Sequence, residues 1–491
     1  MKRYQHHLIL SALALAILGP LLYYRAPYFL ATPDIMYVEA KVLQVLLGNL
    51  YADPVTGIAT FHPPYYHLFL APFKALGMNL HTVLVLVTIS NVCLIIFFTY
   101  KTLKTAFNRQ TALYTCMLLP FIIEFMGSRN ILLATSFYFS TPLYLAGLWN
   151  YLKPTDSSRP TVLAAALWGA AFLISPVYLF LIGLTFVYEL IIKRDFRRFG
   201  LMGGVFALTL VPFFIQAAYL YLNDLTGATT FVLWRGPLTL NWIKEVLIEF
   251  VSPTLNDPIS TGAIIHLILL AAAAGVAVQS KKVMFFIPLA ALAYFLTFYH
   301  FSAQYAIRIH LFLSIFIVAG LIDRLLREKI NRYFLLAPIL AIMLFGLYSH
   351  YNLTINYFDR ESIDRQKYIG NGEKLWRVMH NYLDEGEYIL AAKQVYSQYI
   401  VTRIAVHSLG AYKDMRYFQL PPIIAYNLEE DYRLVMAATD YPMVKAITDK
   451  YKIDTAVFHA RDKGRPLFAV IRDNWNAVYM DEAFIIFQKP E

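Results

Sequence analysis

Long apolar runs recur along this chain, and they constrain it more than any other feature. They lie near residues 8–24, 81–100, 111–126, 132–151, 161–175, 177–192, 200–221, 262–279, 283–300, 305–323 and 333–350. Their lengths are close to the roughly 17 to 25 residues that cross a hydrocarbon core as a helix, so about eleven spans are expected. Lipid offers backbone N–H and C=O groups no water, and a helix satisfies them internally. The composition agrees: 58% of the 491 residues are hydrophobic, 15% are charged, and the mean hydropathy is +0.52. A soluble domain does not tolerate so apolar a chain. The expected fold class is therefore an α-helical polytopic membrane protein. The weakest boundary is Ser175-Pro176, which separates two spans or kinks one helix. Losing a span there would invert everything downstream.

Lys2 and Arg3 before the first apolar run look like the start of a signal peptide, but no small-residue cleavage site follows. We read the run as a retained first helix. The net charge of +10 would suit a nucleic-acid partner, so the positions of the basic residues must decide. With a cytoplasmic N-terminus, the inner loops hold Lys2, Arg3, Lys101, Lys104, Arg109, Lys153, Arg159, Lys193, Arg194, Arg197, Arg198, Lys281, Lys282, Arg324, Arg327, Lys329 and Arg332. The outer loops hold Arg25, Lys41, Lys74, Arg129, Arg235 and Lys244. Topology accounts for this asymmetry, and nucleic acid becomes unnecessary. Cys93 and Cys116 both fall in apolar runs and read as buried fillers. We expect an integral protein of a bacterial or archaeal plasma membrane.

Two domains are expected: residues 1–351 as the membrane body, with a first outer loop at 25–80, and residues 352–491 as a soluble α/β domain. In the second, GEKLWRVMHNYLDEG (372–386) and PMVKAITDKYK (442–452) pattern as helices, while YILAA, IDTAVFH, NAVYM and AFIIFQ pattern as strands. An odd number of spans puts this domain outside. It carries no glycine-rich phosphate loop and no paired CxxC, so it is expected to assist binding. A second outer loop, 223–260, contains an amphipathic stretch, NWIKEVLIEFV, suited to the interface.

Chemistry is expected in the first outer loop, where polar groups can meet water and a lipid headgroup. Tyr37, Ala40, Val42, Leu43, Leu46 and Leu47 recur at helical spacing, which predicts a helix lying along the membrane surface. Asp34, just after Pro33, sits near the N-cap of that helix, and capping and catalysis are both open to it. Glu39 reads as a surface carboxylate and Asp53 as a turn residue before Pro54. Next comes His62-Pro63-Pro64-Tyr65-Tyr66-His67, an extended diproline entry into an apolar helix. Two histidines at this spacing suit a metal, but no third ligand stands nearby, so structural or substrate contact is the preferred reading. Near the outer end of the run at 305–323, FYHFSAQYAIRIH carries Arg308 with His300, Tyr305 and His310. A guanidinium at the edge of a membrane segment needs an anionic partner or must snorkel to the interface.

The order Pro33-Asp34, Tyr37, Ala40, Leu47-Gly48, Tyr51, Asp53-Pro54, HPPYYH and Ala71-Pro72 after a first membrane helix resembles the GT-C superfamily of membrane glycosyltransferases. The branch it resembles includes protein mannosyltransferases and lipid A aminoarabinose transferases. The resemblance implies transfer of a sugar from a polyprenyl-phosphate donor to a lipid, glycan or protein acceptor on the outer face, with inversion. It places the family's first-loop aspartate on Asp34 and the PP-aromatic motif on Pro63, Pro64 and Tyr65, and gives Arg308 the lipid phosphate. His62, Tyr65, Tyr66, His67, His300, Tyr305 and His310 would line the substrate cavity. Two departures stand out: Ile35 occupies the place of a frequent second acid, and GSRNILLATS lacks the aspartate that often follows the third span. Glu124 substitutes for the latter or is an ordinary helix-end residue. No cofactor is required, and use of a divalent metal stays open. Alternatives from other classes are a polyprenyl-lipid flippase or transporter, and an O-antigen polymerase or ligase that moves a whole glycan. The chain concentrates polarity at the outer ends of its spans rather than mid-membrane, which favours an enzyme over a transporter.

Overall fold

The computed structural model describes residues 3–23, 33–54, 64–125, 132, 136–154, 157–222, 303–328, 332–383, 387–391, 407–409 and 430–490. In chain order the helices are α1 (Arg3–Tyr23), α2 (Pro33–Leu46), α3 (Tyr65–Ala75), α4 (Leu80–Ala106), α5 (Arg109–Met117), α6 (Leu119–Phe125), α7 (Ser136–Tyr151), α8 (Arg159–Ile174), α9 (Leu179–Val187), α10 (Phe196–Thr209), α11 (Val211–Leu222), α12 (Ala303–Arg327), α13 (Arg332–Met379), α14 (Tyr441–Tyr451) and α15 (Pro466–Asn474). The strands are β1 (Tyr388–Ala391), β2 (His407–Ser408), β3 (Ile453–His459), β4 (Asn476–Met480) and β5 (Phe484–Gln488). The chain groups into two compact units. One comprises Met1–Ala26, Leu84–Phe213 and Val232–Phe358, the other Pro27–Val83, Phe214–Phe231 and Asp359–Glu491.

The first unit is helical. Among the described residues, α1, α4 and α13 each contain a stretch long and apolar enough to cross a bilayer: Tyr4–Leu21, Thr82–Ala106 and Tyr333–Asn352. Prolines mark breaks in several of the other apolar runs. α10 and α11 meet at a 52° bend just before Pro212, whose missing N–H and bulky ring interrupt the helical ladder. The run at 111–126 divides into α5 and α6 ahead of Pro120. At Ser175 the backbone is extended (φ −144°, ψ 107°), as a residue before proline prefers, so α8 and α9 are separate helices rather than one. The runs at 262–279 and 283–300 and the amphipathic stretch at 241–251 lie outside the described residues.

Close packing holds this unit together. Gly147 lets α7 approach Trp168, since a Cβ there would fall 2.5 Å from the indole, and the Trp168 N–H donates to the Tyr144 carbonyl at 3.2 Å. Asp323 on α12 is buried but not alone: Asn108, Thr111 and Arg327 reach it at 2.5, 3.2 and 2.7 Å. A buried carboxylate persists only when compensated in this way.

The second unit is built on a five-stranded mixed sheet of order β2-β1-β3-β5-β4, parallel on the β2-β1-β3 side and antiparallel on the other. One face packs against α14 and α15 through Val444, Ile447, Leu467 and Ile471. The other face, with Ile389, Val457, Phe484 and Ile486, covers Leu375 and Met379 of α13 and Ala40 of α2. The first-loop helix is therefore part of this core, and that corrects two expectations. α2 does not present one face to an interface: Tyr37 through Val42 are all buried, and Glu39 is buried rather than a surface carboxylate. α13 also differs from expectation. It runs unbroken from Arg332 through the composition change at 351–352 and ends at Met379, so the helix expected at 372–386 is its last turns. Loss of apolar character changes what a helix buries, not whether it continues, and no proline interrupts this stretch beyond Pro338.

Candidate active site

α2 begins at Pro33, a residue pre-set for the first helical position, so Asp34 lies inside the first turn instead of before it. The other end of α2 is closed by Gly48, whose φ of 85° admits the left-handed turn. Its N–H bonds the Val45 carbonyl at 3.1 Å, and the Asn49 N–H bonds that of Gln44 at 2.9 Å. Gly77 (φ 76°) ends α3 in the same way. The catalytic candidate thus sits on a short helix capped at its far end and embedded in a core.

Behind α2 lies a buried polar group that the sequence reading did not single out. Lys41 is fully buried and donates its ammonium to the Ala52 carbonyl. Burial lowers its pKa to about 8, against the pull of the nearby Asp53 charge toward the protonated form. Asp53 is buried as well, accepting the Tyr37 hydroxyl at 3.4 Å, so it does more than turn the chain. One residue on, the Pro54 carbonyl accepts from His407 Nδ1 at 3.3 Å. His407 pairs in parallel register with Tyr388, and their rings lie 5.1 Å apart. Burial, then the Asp53 charge, pushes the Tyr388 phenol up to about 12. Lys41 has Tyr37 one turn before and Val45 one turn after it on the same face of α2, both buried. No sequence signal points to His407, because a two-residue strand finds its partner only in the folded sheet.

Tyr65 opens α3 half-buried, its phenol pushed up to about 12 by burial and then by Tyr51. Tyr66 is fully buried, which raises its phenol further. His67, also buried, packs edge-on against Tyr37 at 6.3 Å and Tyr66 at 5.6 Å. Tyr66 and His67 are therefore brought against the helix that carries Asp34. Glu124 falls near the end of α6, and Tyr305, Arg308 and His310 fall in the first turns of α12. Arg308 belongs to the first unit and Asp34 to the second. His62 and His300 lie outside the described residues. Among the described residues no group of three or more His, Cys, Asp or Glu is placed to hold a metal.

No protein-family model matches this sequence, and no curated protein matches it either. Solved structures do. ArnT from Cupriavidus metallidurans bound to undecaprenyl phosphate superposes with a TM-score of 0.61 at 14% identity, covering all of both chains. The apo oligosaccharyltransferase of Archaeoglobus fulgidus matches with a TM-score of 0.57 at 14% identity over all of this chain and 75% of its own. The mycobacterial arabinofuranosyltransferase AftD matches with a TM-score of 0.58 at 10% identity over 99% of this chain and 42% of its own. All three are GT-C glycosyltransferases. The chain has the GT-C fold. Identity of this order carries the fold and not the chemistry. In this chain the loop motif that prompted the resemblance frames α2 and α3, and its Asp53-Pro54 pair is the part joined to the C-terminal sheet.

Proposed function

We propose that the protein is an integral membrane glycosyltransferase that moves a sugar from a polyprenyl-phosphate-linked donor to a lipid, glycan or protein acceptor on the outer face. The observation that carries this reading is the end-to-end likeness to a structure holding undecaprenyl phosphate. About eleven spans, a cytoplasmic N-terminus and an outer C-terminal domain complete it. On this reading residues 1–351 are the catalytic body and 352–491 the outer domain.

In the reaction, Asp34 accepts the proton of the acceptor hydroxyl as that oxygen attacks the anomeric carbon, and the carbon–oxygen bond to the lipid phosphate breaks with inversion. Arg308 balances the charge on the departing phosphate, with a planar fork of donors that matches its oxygens. Tyr65, Tyr66 and His67 shape the wall beside α2, and His62, His300, Tyr305, His310 and Glu124 contribute contacts to donor or acceptor.

The test is an assay of full-length protein in detergent with labelled polyprenyl-phosphate sugars and a membrane lipid extract. Transfer of label without any vesicle barrier is expected, and its absence across hexose and pentose donors would remove the reading. Transfer of a single sugar distinguishes this function from whole-glycan transfer, the alternative that the likeness to an oligosaccharyltransferase keeps in view. A reporter that fluoresces only in the cytoplasm, fused after Glu491, is expected to stay dark.

A further inference from the structure

The loop-side end of the first unit, where α4 and α7 finish, treats two pairs of basic residues differently. Lys193 and Arg198 converge on Glu189, a fully buried carboxylate that also accepts the Tyr151 hydroxyl at 2.6 Å. The lysine stands 2.9 Å from it and the arginine 3.5 Å. Two residues before Tyr151, Trp149 carries the other pair. Lys153 Nζ lies 3.7 Å from the indole centroid and donates to Asn150 Oδ1 at 2.8 Å, and Lys101 Nζ lies 5.8 Å from the same indole and 5.2 Å from Phe97. Neither ammonium has a carboxylate partner among the described residues. Burial, followed by repulsion from Lys101, lowers the Lys153 pKa. The fold gives one basic pair a shared buried carboxylate and leaves two like charges facing a single ring in the other.

We propose that the surface formed by Trp149, Lys101 and Lys153 binds the phosphodiester headgroup of an anionic membrane lipid. Three features select that ligand. Two ammoniums on one indole gain from a shared anion, which converts their mutual repulsion into two charge-assisted hydrogen bonds. Trp149 supplies an amphipathic ring of the kind that sits at headgroup depth. α4 is apolar enough to span a bilayer, so an acyl chain would lie along it while the phosphate stays at its end. The site is independent of the proposed transfer reaction, since it uses none of the residues assigned to it.

Native mass spectrometry of the full-length protein, titrated with phosphatidylglycerol, phosphatidylcholine or inorganic phosphate, tests the proposal. Phosphatidylglycerol is expected to bind more tightly than phosphatidylcholine. Lys101→Gln and Lys153→Gln should each weaken it about fivefold, and the pair about 25-fold, from the roughly 1 kcal/mol that one basic residue contributes near an anionic surface. Lys193→Gln, which removes a Glu189-paired lysine, should leave the preference unchanged. Equal binding of phosphatidylglycerol by wild type and double variant would overturn the proposal. So would an equal effect of inorganic phosphate, because the site would then read a free anion and not a lipid. If the double variant does not fold, the two single variants carry the same test.

Discussion

His407 Nδ1 lies 3.3 Å from the carbonyl oxygen of Pro54, tying the edge strand of the C-terminal sheet to the turn that follows α2. A carbonyl only accepts, so the ring presents Nδ1–H, and it is the neutral ring that burial favours. Burial lowers the His407 pKa, with the Pro54 carbonyl and Asp53 pulling the other way. Below a pH of about 6.5 the unfolded chain therefore binds a proton that the folded chain resists. Stability from this group is full above that pH and is lost as the pH falls toward the lowered folded value. Thermal melts of wild type and His407→Phe between pH 7 and 5 should show a steeper acid loss for the wild type. Parallel pH profiles would mean that His407 is solvated in the folded protein.

Lys41 gives the opposite experiment, at alkaline pH. Its folded pKa of about 8 lies below the ordinary value of 10.5, so burying the charged form costs stability throughout the range below about 8. That cost is relieved as the pH rises from about 8 to 10.5, and its full extent is on the order of 3 kcal/mol. The stability of wild type relative to Lys41→Met should rise across that window. At pH 7 the variant has lost the bond to Ala52 and left Asp53 without its cation, an unfavourable change of about 3 kcal/mol that offsets the gain from removing a buried charge. A wild-type advantage that stays constant from pH 7 to 10 would show that the ammonium is not desolvated.

Asp34→Asn should abolish transfer while the protein remains folded. The amide retains the shape of the carboxylate but cannot take a proton, and loss of a general base costs about 10²-fold to 10⁴-fold in rate. The buried body of α2, not its first residue, carries the packing, so the melting temperature should stay close to that of the wild type. An Asp34→Asn protein with normal turnover would leave Asp34 as a helix-end residue only.

Arg308 should act on the donor and not on the acceptor. No acidic residue stands near it in the sequence to pair an always-charged guanidinium at the edge of a span. Arg308→Lys should weaken donor use, because an ammonium cannot reproduce the two parallel bonds to phosphate, and Arg308→Ala should weaken it more. Steady-state kinetics with donor and acceptor varied in turn separate the two effects. A defect confined to the acceptor would move Arg308 away from the lipid phosphate.

Periodicity and composition by themselves determined the helical membrane class, the strand patterns of the C-terminal domain and the prominence of the first loop. These follow from local rules: how many apolar residues span lipid, and how polar and apolar residues alternate on a half-buried strand. IDTAVFH, NAVYM and YILA are short apolar runs whose β-branched and aromatic residues sufficed for them to be read as strands. Whether an apolar run stays whole was partly legible, since Pro120, Pro176 and Pro212 mark the breaks. The continuity of α13 was not, because a change from apolar to charged residues resembles a domain boundary while leaving helical hydrogen bonding intact. The surroundings of Glu39, Lys41 and Asp53 belonged wholly to the tertiary structure. A charged residue in a polar loop looks solvated until distant segments bury it. Ala40, between Glu39 and Lys41, shares a core with Leu375 and Met379 of α13 and with sheet residues from Ile389 to Ile486, more than three hundred positions away along the chain. Burial is a property of where those segments meet, and it alone turns an ordinary loop lysine into one whose proton is held against desolvation.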